Sequence, residues 1–358
     1  MAHVPDDVVL ITGASGLLGS AIAADLAKDH VVIGLDRDAP PEGWKGAHLV
    51  RVDMTDPEGL RDALLAVEQL AGTRLASVIH LAAYYDFSGE DSPLYDKLTV
   101  EGTRHLIRQL RAKFSVEQLV FSSSMLVMKP AVRGQLIREE APTQAEWAYP
   151  RSKLDAEEVV RVERGEIPGV ILRIAGVYDD HCSSIPIAQQ IRRIYERDLE
   201  SVFFPGNAHH GQAFVHVDDV VTCVRRVVER RSALEGLEVF LVGESDVMSY
   251  GELQDRIGAL VHGREWPSIR IPSSLAKAGA WIKSKLVPGS FIKPWMVDQA
   301  DAHYPISIER ARERLGWVPR HRLRERLGTI VRNLQLDPDA WYEANGLEPA
   351  AAAATDEE

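Results

Sequence analysis

Three short stretches carry residues whose types and spacing suit chemistry. Tyr149 and Lys153 stand four apart in YPRSK, a spacing that places both on one face of a helix. A free tyrosine titrates near ~10 and is a poor base at neutral pH. A neighbouring ammonium favours the phenolate, so the spacing predicts a lowered value for Tyr149. Upstream, Phe121-Ser122-Ser123-Ser124 closes an apolar run, and a serine hydroxyl can both donate to and accept from a reacting oxygen. Near the start, Thr12-Gly13-Ala14-Ser15-Gly16-Leu17-Leu18-Gly19 follows the apolar run Val8–Ile11. Glycines there permit a tight turn, close approach of backbone to a pyrophosphate, and close helix–strand packing. The pyrophosphate would sit at the helix N-terminus, where free N–H groups favour negative charge. A glycine-rich turn, a serine-rich loop start or a Tyr/Lys pair on a helix is each common alone. Their joint occurrence in this order is not.

These residues need a frame to hold them. Short apolar runs at Val8–Ile11, Val31–Leu35, Leu49–Val52, Ser77–Leu81, Leu119–Ser122 and Val170–Ile174 show no in/out alternation, as expected of parallel strands covered on both faces. Segments of helical period lie between them, at Leu17–Lys28, Pro57–Leu70, Tyr95–Lys113 and Pro150–Arg164. The alternation predicts an α/β fold, a Rossmann doubly wound parallel sheet. Asp36 ends the second strand, placed to accept hydrogen bonds from ribose hydroxyls and to repel the extra phosphate of NADP; Arg37 beside it has the opposite tendency. The aspartate favours NAD over NADP.

After Arg173 the rhythm changes. Helical period appears at Ile187–Arg197, Val217–Arg230 and Tyr250–Val261, with short strands at Ala213–His216 and Val239–Val242. The expected organisation is a dinucleotide domain over residues 1–180, completed by about 212–245, and a smaller, discontinuous C-terminal substrate lobe from 181–211 and 246–340. A disordered tail is expected within 341–358, its alanine-rich, acidic end Glu348–Glu358 offering little to bury. The 358 residues suit one large unit or two lobes, and 45% hydrophobic with 26% charged residues is ordinary for a globular chain. A formal charge of −12 speaks against a general affinity for nucleic acid or anionic lipid. Cys182 and Cys223 make no disulfide framework, and no ligand spacing suggests a metal. Neither a signal peptide nor a membrane span is legible, so a cytoplasmic location is the expectation.

Together the motifs resemble the extended short-chain dehydrogenase/reductase family, the NAD-dependent epimerases and dehydratases. The resemblance rests on TGASGLLG, RVDMTD, His80-Leu81-Ala82-Ala83, the serine strand end, YPRSK, LRIAGVY, FVHVDDV and RARERLGWVP, and reaches to about Leu327. It implies an NAD site formed by Gly13, Ser15, Gly16, Leu17, Gly19, Asp36 and Arg37. Asp53 and Met54 would border the adenine, and Leu81, Ala82 and Ala83 would run along the cofactor. It implies further that Ser124 holds the reacting oxygen, that Tyr149 is the acid/base, and that Lys153 binds the nicotinamide ribose. The implied reaction is hydride transfer at a secondary alcohol or ketone. A homodimer through Tyr95–Lys113 and Pro150–Arg164 is also implied.

Several positions depart from the sugar-nucleotide branch. Met128-Lys129 replace a Tyr-Gly pair, Gly176 an asparagine, Gln212-Ala213 an Arg-Asp pair, and Thr99 an asparagine. Glutamine cannot supply the charge of an arginine–phosphate fork. Arg192 and Arg193 are expected on a solvated helix face, and His209 and His210 in an exposed loop. Residues Ser273–Trp295 mix apolar residues with lysines, suiting a lid of the substrate lobe or, less well, a membrane interface. Three readings stand: an oxidoreductase or epimerase on a sugar-derived substrate, a hydroxysteroid- or flavonoid-like alcohol dehydrogenase, and a non-catalytic NAD-binding sensor.

Overall fold

The computed structural model describes residues 7–39, 47–86, 90–272 and 301–349. Its centre is a seven-stranded parallel sheet. The strands are β1 (Val8–Thr12), β2 (Val31–Asp36), β3 (Ala47–Arg51), β5 (Ser77–His80), β7 (Leu119–Ser124), β8 (Gly169–Ile174) and β12 (Leu237–Val242), in spatial order β12-β8-β7-β5-β1-β2-β3. Short parallel pairs lie outside it: β4 (Arg74–Leu75) with β6 (Ser115–Val116), β9 (Gly176–Tyr178) with β11 (Phe214–His216), and β10 (Phe203–Pro205) with β13 (Ile269–Ile271). The central strands are buried along nearly their whole length, which explains their unbroken apolar composition.

The chain reverses its direction of progress across the sheet between β1 and β5, and in such sheets ligands bind beyond the carboxyl ends of the strands at that point. Thr12 ends β1 and His80 ends β5, so the glycine turn and the HLAA segment meet there. On one face of the sheet lie helices α1 (Leu17–Leu26) and α6 (Val217–Glu229), with Ile22, Leu26, Val220, Val224 and Val227 in the core. The other face is covered by α2 (Pro57–Ala71), α3 (Gly102–Lys113) and α4 (Ala148–Glu163). Asp56 accepts from the Glu58 amide to cap α2, with Pro57 in its first turn and Gly72 at φ 78° past its end, the usual signals for starting and stopping a helix.

The span Tyr95–Lys113, expected as one helix, is divided. Residues Tyr95–Glu101 form a π-helix, and α3 begins only at Gly102. Such wide turns cluster at functional sites. This one carries Thr99 to the amide of Tyr84 (3.0 Å) and the Tyr95 hydroxyl to the carbonyl of Asp86 (3.0 Å).

A third core builds the C-terminal lobe from α5 (Ile185–Tyr195), α7 (Tyr250–His262), α9 (Leu323–Leu336) and α10 (Pro338–Ala344), which follow α8 (Glu309–Leu315) in the last part of the chain. Ile187, Ile191, Ile257, Leu327, Ile330 and Trp341 fill it. The chain stays folded past residue 341, where a tail was expected to begin: Trp341 and Tyr342 are buried, because an aromatic pair on the α10 helix has the lobe core to fill. Residues 350–358 and the segment 273–300, which contains Ser273–Trp295, lie outside the described residues. Among the described residues no helix is long and apolar enough to cross a membrane.

Candidate active site

The glycine turn has the geometry a dinucleotide needs. Gly13 adopts φ +69°, and a Cβ there would meet the Ala82 amide nitrogen at 2.8 Å. At Gly19 a Cβ would lie 2.0 Å from the Gly13 carbonyl oxygen, so α1 packs on the turn only without one. Gly16 is different. A Cβ there would have only the Gly13 oxygen near it, at 3.5 Å, so it faces open space at the N-terminus of α1. Leu17, the next residue, is 44% exposed. An open backbone cradle at a helix N-terminus, flanked by an apolar side chain, fits a pyrophosphate with its adjoining rings.

Asp36 sits beside this cradle. Its Oδ2 accepts from the Ser15 amide (2.8 Å) and its Oδ1 from the Asp38 amide (3.2 Å), fixing the carboxylate at the strand end. Arg37 turns away to Asp38 at 3.2 Å and is exposed. Its charge, with that of Asp53, belongs to the rim: hydrogen bonds from the Thr55 amide and hydroxyl hold the Asp53 carboxyl below the usual carboxylate range. The Met54 side chain is buried in the core under α2 and α3. Leu81, Ala82 and Ala83 are half-buried along the opposite wall.

Tyr149 lies in the first turn of α4, with Pro150 next to it, and Lys153 follows one turn on. The three serines ending β7 divide their work. The Ser122 carbonyl accepts from Lys153 Nζ at 2.7 Å. Ser123 Oγ donates to Glu157 Oε1 at 2.6 Å. The Ser124 hydroxyl accepts from the Leu126 amide at 3.2 Å and lies near enough to the Tyr149 phenol to act on its acidity. The end of β7 and the Tyr149–Lys153 face of α4 thus meet through the Ser122 carbonyl.

The acidity of Tyr149 does not follow expectation. Desolvation pushes its phenol up to about 12, against the opposing effect of Ser124 and with a further rise from Tyr95. Lys153, expected to lower it, is itself pushed down to about 7 by burial, which Glu157 partly offsets. The ammonium is committed to the Ser122 carbonyl and stands 5.2 Å from the Phe121 ring centroid. Burial wins over charge here because the low-polarity surroundings disfavour both charged forms at once.

Several residues at the site were not singled out from the sequence. Glu157, one turn beyond Lys153, forms a buried pair with Arg173 of β8 through Arg173 Nη2 (2.7 Å) and Nε (2.9 Å). Arg173 Nη1 also reaches Met128 Sδ at 2.9 Å. The i, i+4, i+8 pattern Tyr149-Lys153-Glu157 was the available signal. The rings of Tyr85 and Trp147 flank Tyr149, with centroids 5.0 Å and 5.6 Å away. Their sequence neighbours give no sign of that.

The departures acquire physical causes. A Cβ on Gly176 would meet the Phe214 ring at 2.7 Å, so Phe214 of the paired strand fills the space an asparagine would need. Met128 points inward onto Arg173 and is fully buried, while Lys129 is exposed. Gln212 bridges to Tyr304, and Thr99 is buried with its hydroxyl on the Tyr84 amide. Arg192 and Arg193 are half-buried instead of solvated, and Arg193 Nε donates to the Gln189 carbonyl at 3.2 Å. His209 is exposed as expected, but His210 is not: its Nδ1 is 2.7 Å from the Asp301 carbonyl oxygen. His210 lines a cavity of about 480 Å³ with Asn207, Arg270 and Asp301. Folding also gathers His216, Asp218 and His321, which no sequence spacing announced. There the His216 Nδ1 accepts the Asp218 amide as the cap of α6, and the His321 ring, stacked at 4.2 Å, is held by Asp219.

Solved structures share this architecture. MoeE5 in complex with UDP-glucose and NAD is 24% identical with a TM-score of 0.69, over 92% of this chain and 99% of that one. The UDP-glucuronic acid 4-epimerase of Bacillus cereus, in complex with UDP-glucuronic acid and NAD, is 19% identical with a TM-score of 0.68, over 92% and 100%. The dTDP-glucose 4,6-dehydratase of Bacillus anthracis str. Ames, in complex with NAD, is 18% identical with a TM-score of 0.69, over 94% and 99%. At these identities the likeness is one of fold. No curated protein sequence matches the chain at a significant level. A family profile does match, running from residue 9 to residue 243, and the chain belongs to the NAD-dependent epimerase/dehydratase family.

Proposed function

We propose that this protein is an NAD-dependent enzyme that moves a hydride to or from a secondary alcohol or ketone carbon, with Tyr149 as the acid/base. The observation that carries the proposal is the meeting of the Tyr149–Lys153 face of α4 with the serine end of β7, where Lys153 Nζ donates to the Ser122 carbonyl at 2.7 Å, together with the open cradle at Gly16. Gly13, Ser15, Gly16 and Gly19 would hold the pyrophosphate, Asp36 the adenosine ribose, and Lys153 the ribose nearer the reacting carbon. NAD, when bound, supplies the hydride acceptor or donor. In the reducing direction Tyr149 Oη gives its proton to the carbonyl oxygen while Ser124 Oγ donates a hydrogen bond to that same oxygen. In the oxidising direction Tyr149 Oη takes the alcohol proton. The buried ring of Trp147 would help to exclude water around that oxygen.

Two of the similar structures hold a UDP-sugar, UDP-glucose or UDP-glucuronic acid, together with NAD. A sugar-derived substrate is therefore our first reading. The aromatic flank of Tyr149 and the Phe214 ring over Gly176 favour a second, a less polar alcohol. Protein purified without added cofactor should release NAD on denaturation, identified by mass spectrometry, if hydride is returned to the same substrate. Release of nothing, followed by reversible NAD binding, points to a dehydrogenase. Tyr149→Phe should bind NAD within twofold of wild type and lose about 10²–10⁴ in turnover; unchanged turnover would remove Tyr149 from the mechanism. Packing of α3 against α4, tied by Arg108 on Glu163 (2.6 Å), also suits a homodimer through these helices. Light scattering that gives a single-chain mass at micromolar concentration would exclude it.

A further inference from the structure

A continuous chain of hydrogen bonds runs through the interior behind the proposed cofactor site, and its direction can be assigned. The Ala82 amide donates to Thr12 Oγ1 at 3.2 Å. Thr12 Oγ1 is 2.6 Å from His80 Nδ1, and His80 Nε2 is 2.8 Å from Thr103 Oγ1. The Thr103 hydroxyl donates to the Thr99 carbonyl at 2.5 Å. A hydroxyl has one proton, and that of Thr103 is committed to a carbonyl, which has none to give back. Thr103 Oγ1 must therefore accept from His80 Nε2–H. Nδ1 is then the bare nitrogen of a neutral ring and accepts the Thr12 proton, while Thr12 accepts from Ala82. Every donor in the chain has one acceptor, and the histidine tautomer is fixed. Burial, with the Lys153 charge adding to it, pushes His80 down to about 3, which agrees with a ring that stays neutral.

The two ends of this chain matter. Thr12 immediately precedes Gly13, whose backbone packs against Ala82 so closely that a Cβ would not fit. Thr99, at the far end, takes the Tyr84 amide on its hydroxyl at 3.0 Å, and the next residue, Tyr85, stacks edge-on against Tyr149. The same set of bonds thus joins the glycine turn, the HLAA wall and the aromatic flank of the acid/base.

We infer that His80 is a positioning residue, which through Thr12 and Thr103 locks the glycine turn and residues 81–84 into the one arrangement that accepts the dinucleotide. The inference rests on the cofactor reading above. His80 touches no reacting atom; it acts by holding backbone. Thr103 is the useful probe, because it lies behind the wall on α3 and valine copies its shape without its oxygen. In Thr103→Val the His80 Nε2–H is left buried with no acceptor, a loss whose usual size corresponds to about tenfold in an equilibrium constant.

The test is NAD binding by titration calorimetry, with thermal midpoints of the same samples. Thr103→Val should weaken NAD binding about tenfold, and Thr103→Ser, which restores the hydroxyl, should bind as wild type. Thr12→Val with Thr103→Val should bind no more than twofold weaker than Thr12→Val alone, since both cut one chain. A purely structural role would lower the midpoint and leave the affinity of the folded protein unchanged. Folded Thr103→Val with affinity within twofold of wild type, or additive losses in the double variant, overturns the inference. Should Thr103→Val be insoluble, His80→Gln carries the same two outcomes. Wild type that binds no NAD overturns the cofactor reading itself, a result distinct from wild type that binds while Thr103→Val binds equally well.

Discussion

In the proposed mechanism Tyr149 starts from a neutral phenol in the protein without bound cofactor. Desolvation pushes its value up to about 12, so without bound cofactor the phenol is the favoured form around neutral pH. Carbonyl reduction uses the phenol proton, so its rate should be flat in pH as far as Tyr149 is concerned. Alcohol oxidation needs the phenolate, whose population grows about tenfold per pH unit below the pKa. The oxidation rate should therefore climb with pH until the phenolate is fully formed, measured as kcat at saturating cofactor. An oxidation rate independent of pH around neutrality would assign the base role elsewhere. Lys153 sharpens the asymmetry: being near 7 and bonded to a carbonyl, it brings less positive charge to the phenol than the Tyr/Lys spacing suggests.

At the scale of elements, the strand-turn-helix unit around Gly13 separates binding from folding. Gly19→Ala forces a methyl to 2.0 Å from the Gly13 carbonyl oxygen, and overpacking of this kind costs about 1–3 kcal/mol. Gly16→Ala meets nothing closer than 3.5 Å. We expect Gly16→Ala to unfold at the wild-type temperature yet bind NAD weakly, because its methyl enters the cradle, and Gly19→Ala to lose stability as well. Equal melting points for the two would show that α1 can move off the turn. The central strands were legible because burial on both faces leaves a continuous apolar run. The π-turn at Tyr95–Glu101 was not, since its register is set by the Thr99 and Tyr95 contacts to residues 84–86. Nor was α8, whose sequence ERARERL buries only Ala311 and Leu315. The site was readable where spacing fell along one element, as with Tyr149 and Lys153. It was unreadable where partners came from different elements, as with Glu157 of α4 and Arg173 of β8.

For the molecule as a whole, Glu244 marks the junction of sheet and lobe. It follows β12, and its Oε2 accepts the Leu323 amide at the start of α9 at 2.9 Å. Burial pushes its carboxyl up to about 7, with the Leu323 amide and Tyr178 opposing and Asp219 and Asp246 adding to the rise. In the unfolded chain it loses its proton first, so stability from this group falls as pH rises from about 4.5 to about 7 and stays low above that. Glu244→Gln should accordingly melt a few degrees higher than wild type at pH 8 and at about the same temperature at pH 4.5. Equal midpoints at pH 8 would mean that the ionised carboxylate is fully compensated. The lobe core itself draws on Ile187, Phe214, Leu253 and Ile257, and then on Leu323, Leu327 and Trp341. During synthesis from the N-terminus, the strands and glycine turn of the cofactor half are therefore complete long before the lobe has its last wall. Until α9 and α10 emerge, the growing chain exposes the apolar faces of α5 and α7, the interval in which a chaperone would be needed most.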